Sequence, residues 1–407
     1  MSEVAPINLI PTSQNQRLSS IDALRGFALL GILMMNIQSF GMIDAKYTNP
    51  MAQGTLTGTD YIWWLLAHLF FDSKMMSIFS ALFGAGIVLM WEKAKQADRK
   101  FTVLHYRRMF WLLIIGLIHA HCFWHGDILV PYATCGMIFY WFCGLRSRWL
   151  ILLGVMLLSV GSVISIFTGA SIPYWPEEQV AKMASSWSPN AKEIAANKAI
   201  YLGSWTEQIP HRSAVAWMME TFLFLFMWIW RVGGLMLMGM ALFKLGIFNA
   251  QRSNRFYWVG LIVGTVIGVG LTGFGVYEFE RNQWSFEYSF FQGHQFNYWG
   301  SLFQSFAFVC AVMLICNAGW SMTRLAAVGQ MALTNYLMHT LICTTLFYGH
   351  GFGWFGSLDR TQLILVVISI WILQLIVSPF WLQHFRFGPA EWLWRSLTYW
   401  KIQPIRK

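Results

Sequence analysis

Long apolar stretches, each interrupted by a short polar or charged segment, recur along the whole chain. A helix that crosses a bilayer needs roughly 20 mostly apolar residues. Windows of that kind fall at ten places: 23–42, 61–90, 109–123, 128–144, 149–168, 216–243, 256–277, 299–317, 326–348 and 362–383. The second and sixth are longer than one straight span needs, which predicts tilt, a break or a re-entrant turn. The third and fourth are short and nearly touch. Lipid offers no hydrogen-bond partner, so each crossing segment must satisfy its own backbone. The pattern therefore predicts an all-α polytopic membrane protein of about ten transmembrane helices. It divides the chain into an N-terminal segment (1–22), a first bundle of about five helices (23–168), a loop (169–215), a second bundle of about five helices (216–383) and a tail (384–407). Residues 1–20 lack the charged, apolar and small-residue order of a signal peptide, which predicts that no leader is removed.

Composition narrows the class further. Of 407 residues, 57% are apolar and only 11% charged, against about 25% charged in soluble domains. So little charge cannot cover a soluble surface of this size. A soluble enzyme, a nucleic-acid-binding protein and a disordered chain are thereby excluded. The net charge of +10 is explained by where the basic residues fall. Lys93, Lys95, Arg99, Lys100, Arg107, Arg108, Arg146, Arg148, Lys244, Arg252, Arg255 and Arg324 lie in even-numbered loops. Arg17, Arg25, Arg386, Arg395, Lys401, Arg406 and Lys407 lie at the two chain ends. That makes 19 on one side, against seven (Lys46, Lys182, Lys192, Lys198, Arg212, Arg281 and Arg360) in the alternate loops. The excess of Lys and Arg marks the cytoplasmic side, so both termini are predicted there. The 170–215 loop is predicted outside, with a helix-like stretch from Glu177 to Ile200. The six cysteines all lie in apolar segments and form no CxxC pair, so they read as packing residues. Gly260, Gly264 and Gly268 predict a close helix–helix approach, to another span or to a second copy. The aromatic loop 278–298 suits either interfacial anchoring or a cavity cap.

Polar groups inside apolar sequence are the candidate chemistry, because placing them in lipid is costly. Asp22 and Arg25 share a helix face at the start of the first span. They form either a local ion pair that sets helix depth or an anion contact through Arg25, for example to a phosphate. Asn36 falls on roughly the same face three turns on, suited to a neighbouring helix or to a substrate. Asp72 and Lys74 interrupt the second span, as a neutralised pair at a helix break or as a cation facing a polar cavity. The segment GLIHAHCFWHGDILVPY holds His119, His121, His125, Asp127 and Tyr132. Its spacing is poor for a metal, since His119 and His121 face apart on a helix, and no metal site is predicted. A His oriented by a carboxylate can act as a general base near neutral pH, which makes His119 with Asp127 the candidate catalytic pair. Asn335 and His339 lie one turn apart in the ninth span, as helix–helix hydrogen bonds or as site groups. Glu220 and Arg231 in the sixth span are too far apart to pair, so each needs a partner elsewhere.

There is no Walker loop, GxSxG elbow, HExxH or haem or flavin signature. Five blocks, IDALRGFALLGILMMNI, KMMSIFSALFGAG, GLIHAHCFWHGDIL, GQMALTNYLMHTLICTTLFY and FRFGPAEWLWRSLTYW, occur in order over nearly the whole chain. Together they resemble the YeiB-like bacterial inner-membrane proteins of domain-of-unknown-function family 418. The resemblance implies a multi-pass protein of the bacterial inner membrane. The opening LRG block is similar to that of transmembrane acyltransferases of the heparan acetyltransferase type. That similarity implies transfer of an acyl group from cytoplasmic acyl-coenzyme A to an envelope acceptor, with no tightly bound cofactor. The matching polar residues are Asp22, Arg25, Asn36, Lys74, His119, Asp127 and Asn335, with Arg386, Glu391 and Arg395 in the tail. Gln330 stands where the family usually has Arg. The heparan enzyme's His follows soon after the first-span Asn, whereas the first His here is His68. His119 would have to take that part from another helix.

Three functions follow. In the first, acyl-coenzyme A docks at the cytoplasmic mouth on some of Arg25, Arg107, Arg108, Arg386 and Arg395. His119 then deprotonates an acceptor hydroxyl on an envelope glycan or lipid, and Lys74 or Asn36 stabilises the oxyanion. In the second, broken helices and buried charges form the midplane site of a transporter. In the third, the chain is a lipid-binding or scaffold protein without turnover. The partners expected are the bilayer, acyl-coenzyme A and its acceptor, with a homodimer among the arrangements the glycine spacing allows. Arg25, Asn36, Lys74, His119 and Asn335 are expected to converge, at least three of them, on one cavity.

Overall fold

The computed structural model describes residues 19–54, 56–98 and 101–407. Arg17, Arg99, Lys100 and most of the 1–22 segment lie outside the described residues. The first span is α1 (Ser19–Gly41), followed by the short α2 (Ala45–Thr48). The second is broken into α3 (Gly58–Phe70) and α4 (Lys74–Gln96), with Ser73 in a left-handed conformation (φ 63°) between them. A non-glycine residue in that region does not continue a helix, which gives the predicted break its location. The third, α5 (Thr102–Ile118), runs into a π-helical turn at His119–Phe123, and α6 (Leu129–Phe139) returns.

The fifth span is α7 (Ser147–Ser171). The predicted loop helix is two helices, α8 (Glu177–Trp187) and α9 (Ala191–Leu202). Asn190 and Glu193 cap α9 reciprocally, each accepting from the other's backbone N–H. The sixth span is continuous over Ile209–Lys244: α10 (Ile209–Met218), a π-helical stretch at Met219–Trp228, and α11 (Ile229–Lys244). It is helical without a break, with a wider register over Met219–Trp228. Then come α12 (Asn254–Arg281), α13 (Phe286–Tyr288) and α14 (His294–Asn317). The ninth span bends at Met331 between α15 (Thr323–Gln330) and α16 (Ala332–Phe347). The last helices are α17 (Arg360–His384) and α18 (Pro389–Tyr399), the latter opened by a proline in its first turn. Among the described residues seven helices are long and apolar enough to cross a membrane. The chain is an all-α polytopic membrane protein.

Helices from the two halves of the chain interleave. α1 packs on α15, α16 and α17, while α11 packs between α4 and α7. One apolar cluster joins α1, α4, α5, α6, α11, α14 and α16. A Cβ built on Gly26 would overlap the Leu325 carbonyl, and one on Gly329 the Asp22 carbonyl, so α1 and α15 meet backbone to backbone. Gly264 and Gly268 face Phe303, Ala307 and Gln304 of α14. The close partner of that glycine stripe is therefore within the chain.

Hydrogen bonds sort the connections to two ends. At one end Ser20 Oγ donates to the Phe248 carbonyl (2.9 Å), Lys244 Nζ to those of Cys143 (2.6 Å) and Leu145 (2.8 Å), and the Trp394 indole to that of Arg108 (2.8 Å). We call it the basic end, for the loops it gathers. At the far end the Tyr201 hydroxyl donates to Asp44 (2.8 Å), Gly356 N–H to the Gly41 carbonyl (2.9 Å) and the Trp187 indole to the Trp284 carbonyl (2.8 Å). Most of the 278–298 aromatics are helical there, with Trp284 in the turn between α12 and α13. Phe286 and Phe291 pack with Trp187 and Ile172 beneath α8.

Candidate functional site

The basic end opens on a cavity of about 310 Å³ among α1, α4, α5, α6, α16 and α18. Four cations line it, Arg25, Lys93, Arg108 and Arg395, together with the acids Asp22 and Glu391. The cations come from four different helices, brought together because α1, α4, α5 and α18 all end or begin at this level. Arg25 donates to Asp22 at 2.9 Å, so the local pair and the cavity-facing cation are the same residues. The Arg108 guanidinium lies over the Trp394 ring at 4.2 Å, and that of Arg395 over Phe387 at 4.5 Å. Stacking on an aromatic face orients a planar guanidinium, whose fork of N–H donors suits oxyanions. Glu391 is turned the other way. Its carboxyl accepts from Leu333 N–H (2.6 Å), Thr334 N–H (3.1 Å) and the Thr334 hydroxyl (2.6 Å), which caps α16. Burial pushes the Glu391 carboxyl above its usual range, against the lowering effect of these bonds.

The walls beyond the mouth are apolar: Phe79, Leu82, Phe83, Leu112, Ile128 and Leu129. Gly86 lies on this wall, and a Cβ added there would meet nothing within 4 Å. Tyr132 and Tyr336 also line the cavity. The cavity thus has a cationic mouth and an oily depth.

Behind Tyr336 sits the predicted His–Asp pair. His119 Nδ1 is 2.7 Å from Asp127 Oδ1, and both side chains are buried. Asp127 Oδ2 accepts from Val130 N–H at 2.7 Å, capping α6. His119 Nε2 meets the Thr340 hydroxyl at 2.9 Å. With the Nδ1 proton directed at Asp127, Nε2 is the basic nitrogen and accepts from Thr340. The Tyr336 ring centre is 5.2 Å from that of His119, and its hydroxyl accepts from Ile128 N–H at 3.2 Å. The π-helical turn that carries His119 packs on α10 and α16, which fixes its depth.

The other predicted residues are dispersed. Of Arg25, Asn36, Lys74, His119 and Asn335, expected to converge on one cavity, only Arg25 lines this one. Two of the others, Asn335 and Lys74, are held by neighbouring helices. Asn335 donates to Ser378 Oγ (3.0 Å) and the Val328 carbonyl (3.2 Å), and His339 pairs with Gln374 (2.9 Å), forming a ladder between α16 and α17. Lys74 Nζ donates to Asn297 Oδ1 (2.5 Å) and the His68 carbonyl (2.6 Å) at the helix break. Asp72 accepts from Asn297 (2.8 Å) and pairs with His68 (2.9 Å). Asn36 is half-buried on α1, and Arg386 is exposed. Glu220 finds His121 at 3.1 Å, and Arg231 finds Ser301 (2.7 Å), Ser77 (3.2 Å) and the Tyr298 carbonyl (3.1 Å). His119, His121 and His125 turn to three different neighbourhoods. Thr340, Tyr336 and Lys93 were not among the residues singled out from sequence. A lone Thr, Tyr or loop Lys carries no signal until a partner is placed beside it.

These features define a multi-pass helical membrane protein with an amphipathic cavity at its basic end and a buried His–Asp pair behind it. A family model described as Protein of unknown function (DUF418) matches residues 242–401, a region that includes α16, α17 and α18. The protein named Uncharacterized protein YeiB, from Escherichia coli (strain K12), is 32% identical over 94% of this chain and 96% of its own length. Uncharacterized protein YxaH, from Bacillus subtilis (strain 168), is 30% identical over 98% of each. The chain belongs to the DUF418 family and is YeiB-like over its full length.

Proposed function

We propose that this protein is a transmembrane acyltransferase of the bacterial inner membrane, with its basic end and both termini in the cytoplasm. It takes the acyl group from cytoplasmic acyl-coenzyme A and passes it to a hydroxyl of an envelope glycan or lipid. The observation that carries the reading is the cavity: a cationic mouth for phosphates, an apolar depth for an acyl chain, and an inner wall (Ile128, Leu129 and Tyr336) that lies against His119 and Asp127. Arg25, Lys93, Arg108 and Arg395 would meet the nucleotide phosphates. For turnover the acceptor hydroxyl must replace Thr340 at His119 Nε2. The imidazole then takes the hydroxyl proton, the oxygen attacks the thioester carbonyl, and the carbon–sulfur bond breaks. The thiolate leaves with the proton returned by the imidazolium.

Gly86→Leu tests this reading, since Gly86 lines the cavity and a Cβ there would meet nothing within 4 Å. Palmitoyl-coenzyme A should bind the purified protein in calorimetry, and Gly86→Leu should weaken binding at least tenfold at an unchanged melting temperature. No binding by the unaltered protein would end the reading. One observation favours a second reading, a carrier for a small or amphipathic solute. Two buried cations, Lys74 and Arg231, sit at the break between α3 and α4 with Asp72 as their neighbouring carboxylate. Broken helices with buried charge are the pattern of transporter midplane sites. Saturable uptake into proteoliposomes, abolished by Lys74→Met, would shift the assignment there.

A further inference from the structure

The far end holds a second polar cluster, separate from the cavity at the basic end. Arg212 lies in the first turn of α10 and is 3% exposed. Its Nε donates to the His121 carbonyl at 2.9 Å. Its Nη1 and Nη2 are buried and meet no acceptor among the described residues. Burying a guanidinium edge with its donors unspent is costly, and each such group calls for an explanation. The Tyr348 hydroxyl is in the same condition, buried and without a partner among the described residues. Tyr348 and Arg212 are electrostatic neighbours, and the Tyr348 ring lies 5.2 Å from that of Tyr201.

The nearby carboxylate is engaged elsewhere. Asp44 accepts from Asn197 (2.8 Å) and Tyr201 (2.8 Å) and faces His211 at 3.7 Å. The N-terminus of α10 adds partial positive charge at this point, which favours an anion. The exposed turn 204–207 lies beside Arg212. Trp205 lies over the guanidinium at 5.5 Å, its indole donating to the Cys122 carbonyl (2.9 Å). Gln208 ties the turn down by donating to the Tyr201 (3.0 Å) and Gly203 (2.8 Å) carbonyls.

We propose that the far end carries an oxyanion-binding site in which the Arg212 Nη1 and Nη2 groups and the Tyr348 hydroxyl hold a monoanion, a carboxylate or a phosphodiester. One guanidinium edge and one hydroxyl match two oxygens of a single negative charge. A dianion would face Asp44 with only one full positive charge to hold it. The site does not depend on acyl transfer, although Arg212 holds the π-helical turn of His119 through the His121 carbonyl.

The test uses the full chain purified in detergent at pH 7 and constant ionic strength, with sodium chloride as the reference. Thermal unfolding is followed by tryptophan fluorescence while sodium acetate or sodium dimethyl phosphate replaces chloride. A saturable rise in melting temperature is expected for at least one of them, and which one identifies the ligand class. Arg212→Gln should weaken the apparent affinity at least tenfold, and Tyr348→Phe several-fold. Tyr348→Phe keeps the ring packing, so it serves if Arg212→Gln does not fold. No saturable shift with either anion, or an equal shift in Tyr348→Phe and in any folded Arg212→Gln, would overturn the proposal.

Discussion

Replacing His119 by alanine separates chemistry from architecture, because the structure assigns both imidazole nitrogens a partner. The change would strand Asp127 Oδ1, now 2.7 Å from Nδ1, and the Thr340 hydroxyl, now 2.9 Å from Nε2. Asp127 would keep only its bond from Val130 N–H. Stranding a buried hydrogen-bonding group typically costs about 1–3 kcal/mol, and more for a charged carboxylate such as Asp127. The effects share one site and do not simply add, so a loss at or above the upper end of that range is expected. Thr340→Val removes one bond and leaves the His–Asp pair whole, for an expected loss of about 1–2 kcal/mol. Both variants should be read together for melting temperature and for acyl transfer per folded molecule. A base at His119 predicts that His119→Ala lowers turnover by about 100- to 10,000-fold. It also predicts that Thr340→Val, which frees Nε2, keeps turnover per folded molecule at or above the starting level. Full turnover per folded molecule in His119→Ala would end the catalytic assignment. An unchanged melting temperature in that variant would refute the hydrogen-bond argument itself.

Glu391→Ala should destabilise by about 1–3 kcal/mol, since it removes the cap on α16. Glu391→Gln, which keeps a carbonyl acceptor, should cost less, as read by thermal unfolding. A reporter enzyme active only outside the cytoplasm should be active when fused after residue 190 and silent after residue 100 or at the C terminus; activity at residue 100 would invert the topology. His125 supplies a pH dependence. Burial pushes its imidazole down to about 4, with His211 and Arg212 adding to the effect and Asp44 opposing it. Between pH 6.5 and 4 the unfolded chain therefore binds the extra proton, so stability falls as pH falls through that window. The loss is on the order of 3 kcal/mol. His125→Gln should flatten this part of the stability profile, and an unchanged acid slope would show that His125 does not carry it.

The pattern of apolar runs determined the class of this protein, because a helix that crosses lipid must be long, apolar and self-satisfied in its hydrogen bonds. All ten windows coincide with helical segments, and the overlong second and sixth windows meet a left-handed break at Ser73 and a π-helical stretch at Met219–Trp228. The pairing of His119 with Asp127 was also legible, since eight residues joined by a tight connection bring an imidazole and a carboxylate together wherever the hairpin packs. What the pattern could not carry was long-range partnership. Asn335, Lys74 and Glu391 are polar residues in apolar sequence like Arg25. Yet Asn335 belongs to Ser378, Lys74 to Asn297, and Glu391 to the N-terminus of α16, while Arg25 also lines the cavity. A buried polar group takes whichever partner packing delivers, and packing is set by contacts between residues hundreds of positions apart. The same holds for Arg212, an ordinary loop cation in sequence that only the tertiary structure buries with two nitrogens unspent.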